Sequence, residues 1–285
     1  MEKKFFQPPT VYVGEVNINV TDLETSLEFY KRIIGFQVLE QTNNKAVLTA
    51  DGKTPLLTLE QPDGVLPKED RKTGLYHFAI LLPDRSQLSS FLNHIARTGI
   101  RLGASDHYVS EALYLSDPDG NGIEVYRDRP AEEWNWANGQ VAMATEPLEG
   151  QSLLAESNEP WNGLPEATVM GHIHLHVADL TKTKEFYIDG LGFNVVTTYP
   201  GALFISTGDY HHHMGLNIWN GEGAQKPSSK SAGLNWYTLI FPDENARSEA
   251  IAGLKKVGAE VTEEADYYRT EDPAGNSIRL YVFKG

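Results

Sequence analysis

Four stretches of alternating apolar and polar residues each run into an aspartate, and a helix-like pattern follows each one. They cover residues 16–22, 77–84, 173–179 and 236–243. From each aspartate to the glycine that ends the next segment, the spacing is alternately 13 and 15 residues: Asp22 to Gly35, Asp84 to Gly99, Asp179 to Gly192 and Asp243 to Gly258. Because Asp favours the start of a helix and Gly its end, the pattern predicts four strand–helix units.

Three short β-rich runs follow each predicted helix. In the first unit these are residues 36–41, 45–49 and 56–60, so the unit is βαβββ. Units one and three share a Phe-Tyr pair (residues 29–30 and 186–187), and units two and four share Asp-Pro-x-Gly-Asn (residues 117–121 and 272–276). The chain is therefore predicted to be a duplicated pair of repeats with an α+β fold.

The periodicity is lost in the middle of the chain, in a stretch rich in Glu, Asn, Pro and Trp. We interpret residues 129–168 as a linker with one short helix near 148–155. Its tryptophans are expected to anchor the linker by packing against the rest of the protein. This divides the chain into an N-terminal domain, residues 1–128 with units one and two, and a C-terminal domain, residues 169–285 with units three and four.

Composition narrows the function. The 285 residues carry a formal charge of −15, which disfavours nucleic acid and anionic membrane surfaces as partners. No apolar run approaches the roughly 18 residues of a membrane span, and residues 1–9 lack the apolar stretch of a secretory signal. We therefore expect a cytoplasmic protein. There are no cysteines, so disulfides, thiolate nucleophiles and iron–sulfur clusters are excluded, and any metal must be held by His, Asp or Glu.

Six of the nine histidines lie between His172 and His213. Alternation puts His172, His174 and His176 on one face of their strand, where His174 and His176 are expected to be hydrogen-bonded core residues. Equivalent positions in the four units sharpen the comparison. Seven residues before the capping aspartates stand Glu15, His77, His172 and Trp236, and midway along the last strands stand Thr58, Glu124, Asn217 and Arg279. Only some units therefore carry metal-ligating side chains.

Paired βαβββ units with metal ligands on their first and last strands resemble the vicinal oxygen chelate superfamily. Within it, the second unit resembles the signature of type I extradiol dioxygenases, and the whole chain is similar to bacterial catechol 2,3-dioxygenases of the two-repeat type. The matching residues are His107, Leu113, Tyr114, Asp117, Pro118, Gly120 and Glu124. Ser105 departs from the small or aliphatic residue that the family prefers there. The resemblance implies four βαβββ modules paired into two cup-shaped half-barrels.

The chain departs from most extradiol enzymes, which carry this signature in the fourth unit. Here the fourth unit has Trp236 and Arg279 at the ligand positions. If units one and two form a cup, it holds Glu15, His77 and Glu124. If units two and three do, it holds His77, His172 and Glu124, a two-His, one-carboxylate triad suited to Fe(II). We favour the second pairing. The other cup then holds Glu15, Trp236 and Arg279, and its opposite charges are expected to pair.

The resemblance also implies the chemistry. A catechol would chelate the Fe(II) beside O₂ and be opened next to the diol, to a 2-hydroxymuconic semialdehyde. His107 and Tyr114 would hydrogen-bond the catechol oxygens, and His213 matches best the family's acid–base histidine. His213 shares a strand face with Asn217 by alternation. Two alternatives stay open: another metal-dependent enzyme of the superfamily, such as a hydroquinone dioxygenase, isomerase or epimerase, and a metal-free binding protein of the bleomycin-resistance kind. The sequence also leaves homo-oligomerisation open.

Overall fold

Each repeat folds into the predicted order of one strand, one helix and three strands. The structure, a computed structural model, describes residues 3–284. The strands are β1 (Tyr12–Asn19), β2 (Gln37–Gln41), β3 (Lys45–Thr49), β4 (Leu57–Glu60), β5 (Gly74–Leu81), β6 (Gly103–Asp106), β7 (Ser110–Ser116), β8 (Gly122–Asp128), β9 (Trp136–Ala137), β10 (Gln140–Val141), β11 (Val169–His176), β12 (Asn194–Tyr199), β13 (Ala202–Ser206), β14 (Met214–Asn217), β15 (Gly233–Phe241), β16 (Val261–Glu263), β17 (Tyr268–Glu271) and β18 (Ser277–Val282).

The helix of each repeat begins where its aspartate predicts, and one further short helix lies in the linker. The helices are α1 (Leu23–Phe29), α2 (Arg85–Ile95), α3 (Gly150–Leu154), α4 (Leu180–Lys184) and α5 (Glu244–Lys256). In addition, α1 and α4 continue as π-helical turns at Tyr30–Ile34 and Glu185–Gly190, and 3₁₀ turns lie at Lys3–Phe6 and Ala131–Glu133. The side chains of Asp22, Asp84, Asp179 and Asp243 each accept a hydrogen bond from a backbone N–H of the first helical turn, which satisfies donors that the helix itself leaves free. None of the helices in residues 3–284 has the length and apolar character needed to cross a membrane.

The strands of the four repeats form two curled eight-stranded sheets, which confirms the predicted pair of half-barrels, and β9 and β10 of the linker form a separate two-stranded sheet. One eight-stranded sheet has the order β16-β17-β18-β15-β1-β4-β3-β2, and the other β12-β13-β14-β11-β5-β8-β7-β6. The first sheet thus joins units four and one, and the second joins units three and two. In the second sheet β5 pairs antiparallel with β11 and parallel with β8. Of the two pairings that the sequence allowed, the structure has the one that brings units two and three together.

Alternation divides each sheet into a core face and a cup face. Phe78 of β5, Ile123 of β8 and Ile173 of β11 are buried in the main hydrophobic cluster, which also contains Ile18 of β1 and Leu239 of β15. The two sheets therefore share one apolar core. Their other faces form the two cups, and residues adjacent in sequence to these core residues project into them.

The Asp-Pro-x-Gly-Asn segments are tight turns that start the last strand of their units. Asp117 accepts hydrogen bonds from the backbone N–H and side-chain amide of Asn121 and from the hydroxyl of Tyr30. Asp272 makes the same contacts with Asn276 and Tyr187. The two repeated landmarks therefore contact each other, a tyrosine of one unit bonding the turn of the next. The turn at Asp117 sets the start of β8, which carries Glu124.

The linker crosses the protein surface and contains the predicted short helix, α3. Trp134 is buried, stacks on Phe5 and donates its indole N–H to the Arg129 carbonyl. Trp161 packs against Phe91. These contacts agree with the expected anchoring role of the tryptophans.

Candidate active site

Three side chains that the sequence singles out meet in the cup of units two and three. His77 on β5, Glu124 on β8 and His172 on β11 each lie next to a core residue and so face the cup. The Nε2 atoms of His77 and His172 lie 3.1 and 3.2 Å from the same oxygen of Glu124, Oε2, and 3.4 Å from each other. Among residues 3–284 this is the one group of three or more His, Asp or Glu side chains close enough to share a metal ion.

The pKa shifts of His77 and Glu124 favour the protonation states that a metal requires. Burial lowers the pKa of His77, which favours the neutral imidazole. Burial alone would raise the pKa of Glu124, but the neighbouring His172 and His77 hold it well below its usual range. Metal ligation needs neutral imidazoles and an ionised carboxylate, so the donor set is prepared for a cation.

The geometry of the three atoms also fits one metal ion. For metal–ligand bonds of about 2.1 Å, ligands at right angles lie about 3 Å apart, close to the separations observed here. Two nitrogens and one oxygen arranged in this way form the facial triad typical of non-haem Fe(II) sites, which leaves further coordination positions open. Nδ1 of His172 is buried without a hydrogen-bond partner among the described residues. Among the described residues, the hydrogen-bond contacts of this ring are therefore made by Nε2 alone.

His107 and Tyr114 form a second pair on the cup wall. Tyr114, on β7, faces Glu124 across the β7–β8 ladder. Nδ1 of His107 lies 2.6 Å from the carbonyl oxygen of Ala144, so this nitrogen is the donor, and Nε2 then accepts from the Tyr114 hydroxyl, also at 2.6 Å. Burial and the negative Glu124 raise the pKa of Tyr114 well above its ordinary value, which keeps the phenol protonated. The contact with Ala144, in the linker, has no signal in the sequence pattern.

A hydrogen-bonded series of polar side chains leads from Asp128 through His211 to His212 in the cup. Asp128, at the end of β8, lies 2.8 Å from Nε2 of His211, and Nδ1 of His211 lies 2.8 Å from Nδ1 of His212. An ionised carboxylate only accepts, so His211 carries its proton on Nε2, and its Nδ1 accepts from His212. Nε2 of His212 is then the unprotonated nitrogen. Burial lowers the pKa of His212 well below its ordinary value, and this residue lines the cavity.

The structure corrects the expected position of His213. Its Nε2 donates to the carbonyl of Phe5 and its Nδ1 contacts the Ser206 hydroxyl, while Phe6 packs against the ring. It does not line the cavity. The N-terminal residues, which carry no repeat pattern, occupy the space around it. The neighbouring His212 lies in the bend before β14, where strand alternation no longer applies, and its ring centre is 4.2 Å from that of His172.

Burial lowers the pKa of His213 to about 3, which predicts a pH dependence of stability. Below the unfolded pKa of about 6.5, the unfolded chain binds a proton that the folded chain does not. Above about pH 6.5 this difference in proton binding does not lower the stability of the folded protein. As the pH falls from there toward 3, it lowers the free energy of unfolding by about 1.4 kcal/mol per pH unit. In denaturant titrations at pH 6.5 and pH 5, we expect His213→Gln to lose about 2 kcal/mol less unfolding free energy than the wild type. Equal losses of unfolding free energy in the variant and the wild type would contradict the lowered pKa of His213.

The cup opens as a cavity of about 310 Å³. Besides the polar groups above, its lining includes aromatic side chains from β5, β12, β13 and the loop after β14, and three consecutive linker residues. The lining residues not yet placed are Tyr76, Ser105, Met143, Thr145, His174, Tyr199, Phe204 and Trp219. His174 and His176 are hydrogen-bonded as predicted, both to the side-chain amide of Asn217. The prediction that both are core residues is wrong, because His174 forms part of the cavity wall and His176 is half-buried.

The other cup differs from the expectation in its charge pairing. Glu15 accepts a 2.5 Å hydrogen bond from Thr58, and burial raises its pKa. The guanidinium of Arg279 lies 3.6 Å from the ring centre of Trp236 and 4.8 Å from that of Tyr267. The predicted ion pair between Glu15 and Arg279 is absent from the contacts of the described residues, and the cation lies over two aromatic rings instead. Arg279 does lower the pKa of Glu15 in part, against the larger opposite effect of burial.

A comparison with known protein families shows which family this chain belongs to. The family model described as the glyoxalase/bleomycin resistance protein/dioxygenase superfamily matches residues 12–125 and 169–280. The chain belongs to this superfamily. The two matched segments lie within the two predicted halves.

Individual relatives span nearly the whole chain. Catechol-2,3-dioxygenase from Bacillus subtilis (strain 168) is 46% identical over 276 residues, which cover 95% of this chain and 97% of that protein. This relationship confirms the prediction of a catechol 2,3-dioxygenase-like member of the superfamily. Glyoxalase I from Zea mays superimposes with a TM-score of 0.58 at 17% identity, over 95% of this chain and 92% of its own. The CppA protein of Streptococcus pneumoniae TIGR4 superimposes with a TM-score of 0.55 at 12% identity, over 95% and 100%. Both of these structures share the fold of this chain.

Proposed function

We propose that this protein is an Fe(II)-dependent extradiol dioxygenase that opens catechol, or a simply substituted catechol, to a 2-hydroxymuconic semialdehyde. The observation that carries the proposal is the convergence of His77, Glu124 and His172 in a cavity that also presents His107, Tyr114 and His212. The relative named catechol-2,3-dioxygenase supports the same reaction. The reaction needs no reductant, because both atoms of O₂ enter the product as the ring carbon–carbon bond beside the diol breaks.

The metal would be held by Nε2 of His77, Nε2 of His172 and a carboxylate oxygen of Glu124. Fe(II) in this site would supply the chelation of both catechol oxygens and the binding of O₂. The burial of the three ligands fixes their positions before the substrate arrives, so little reorganisation is needed on binding.

His107 and Tyr114 orient the substrate. The Ala144 carbonyl fixes His107 with its Nδ1 as donor, and the protonated Tyr114 hydroxyl has one hydrogen to give. A catechol oxygen that enters the cup can receive this hydrogen in place of His107. The pair therefore distinguishes one end of the diol from the other.

His212 moves the proton. The chain from Asp128 through His211 leaves Nε2 of His212 unprotonated, so it can accept the hydrogen of a catechol hydroxyl and return it later in the reaction. Asp128 and His211 act as positioning residues, since they fix the tautomer of His212.

The proposal is tested by loading the purified protein with Fe(II) under anaerobic conditions and then adding catechol and air. We expect uptake of one O₂ for each catechol and the appearance of the yellow ring-opened product. An enzyme that binds zinc, nickel or manganese and leaves catechol intact would belong instead to the glyoxalase-like branch, and a protein that binds no metal would be a ligand-binding protein. The cytoplasmic location and any homo-oligomeric assembly stay predictions.

A further inference from the structure

One wall of the cavity is a continuous series of aromatic rings from His212 to the protein surface. Phe204 lies 5.1 Å from His212 and 5.5 Å from His174, measured between ring centres. His174 in turn lies 5.3 Å from Trp219 and 5.0 Å from Tyr76. The outer rings are open to solvent, with Trp219 47% and Tyr76 41% exposed. Exposed large aromatics at the mouth of a pocket favour contact with an apolar ligand.

Hydrogen bonds hold this wall in place. The backbone N–H of Trp219 donates to Oδ1 of Asn217, which fixes the orientation of that amide and leaves its NH₂ group to donate to Nε2 of His174. The indole N–H of Trp219 donates to the Pro200 carbonyl. The faces of the rings, rather than their polar atoms, are therefore available to a ligand, and the wall is preorganised.

Among residues 3–284, no lysine or arginine lines the cavity. Its one carboxylate, Glu124, belongs to the proposed metal site. The nearby cation Arg101 is exposed and lines a separate hollow that shares Tyr76, His77 and Tyr114 with the cavity. A negatively charged substituent inside the cavity would thus lack a cationic partner, and an unpaired charge removed from water is strongly disfavoured.

We propose that the preferred substrates are catechols with an uncharged apolar substituent, which lies along the wall formed by Phe204, His174, Trp219 and Tyr76. Carboxylated catechols are disfavoured. This inference rests on the proposed function and specifies its substrate class. The cavity volume of about 310 Å³ is at the lower end of the range for pockets that enclose drug-sized ligands, so it accommodates a catechol with a substituent.

The test compares 3,4-dihydroxyphenylacetate with its methyl ester, which lacks the negative charge and is larger by one methyl group. Their dissociation constants are measured anaerobically on the Fe(II)-loaded protein, and kcat/KM is measured in air with catechol as the reference. We expect the ester to have a dissociation constant at least tenfold lower than that of the acid and a kcat/KM at least tenfold higher. We also expect 4-ethylcatechol to exceed catechol in kcat/KM. Cleavage of catechol with equal values for acid and ester would overturn the inference and leave the proposed function intact. Failure to cleave catechol would overturn the function, while the dissociation constants would still report the preference.

Three variants locate the effect. Trp219→Ala is expected to reduce the ratio of 4-ethylcatechol to catechol in kcat/KM, because it removes the outer ring of the wall. Thr145→Lys places a cation at the exposed rim and is expected to raise the affinity for the acid relative to the ester about tenfold. Arg101→Ala is the matched control and should leave the acid-to-ester ratio unchanged. If Arg101→Ala instead weakens acid binding selectively, or if Trp219→Ala leaves the ethylcatechol ratio at the wild-type value, the proposed wall is wrong.

Discussion

Glu124→Gln is expected to reduce bound iron to less than one tenth of an equivalent and to abolish catechol turnover. The substitution keeps the shape of the side chain but removes the one anionic ligand between two imidazoles whose Nε2 atoms lie 3.1 and 3.2 Å away. Loss of groups that merely support a ligand costs about 10- to 100-fold in metal affinity, and loss of the ligand should cost more. Metal analysis after Fe(II) loading and desalting, together with O₂ uptake, measures both effects.

Glu15→Gln is the matched control for this experiment. Glu15 occupies a ligand-equivalent position in the other cup, where it bonds Thr58 and has no histidine partner among the described contacts. This variant should bind iron like the wild type. If Glu15→Gln loses iron while Glu124→Gln retains it, the metal site has been assigned to the wrong cup.

The second large effect is expected at His212. His212→Gln should lower kcat by about 10²- to 10⁴-fold, the usual contribution of a general acid–base group, with iron content unchanged. Gln keeps an amide that can donate to Nδ1 of His211, so the buried chain to Asp128 stays satisfied. Steady-state kinetics with parallel metal analysis distinguishes proton transfer from metal binding.

His213→Gln provides the comparison. His213 is fully buried against Phe5 and Phe6 and does not line the cavity. Its replacement should lower stability while keeping kcat within about tenfold of the wild type. A large loss of kcat in His213→Gln with normal turnover in His212→Gln would restore the role to His213.

The sequence predicts those features that repeat. The strand–helix units, their capping aspartates and the Asp-Pro-x-Gly-Asn turns are set by local preferences, so comparison of units places His77, Glu124 and His172 at equivalent strand positions. Alternation between core and cup then holds inside the strands, as for Phe78 beside His77. These are also the positions where the structure agrees with the predictions.

The differences arise where the pattern stops. His211 and His212 lie in a bend before β14, so the strand alternation that favours His213 in the sequence does not extend to them. The N-terminal residues that enclose His213 and the linker carbonyl of Ala144 that orients His107 belong to no repeat. Arg279 contacts Trp236, which stands at the position where units two and three carry a histidine. Such contacts depend on residues distant in sequence, and one chain carries no local signal for them.

The central claim is that His77, Glu124 and His172 together hold the iron to which catechol binds. It is tested most directly by anomalous diffraction at the iron edge from crystals of the Fe(II)-loaded protein, soaked anaerobically with catechol. We predict one iron peak bonded to Nε2 of His77, Nε2 of His172 and the carboxylate of Glu124, with both catechol oxygens on the same ion. An iron peak beside Glu15, or catechol bound in the cavity without a metal on these three side chains, would contradict it.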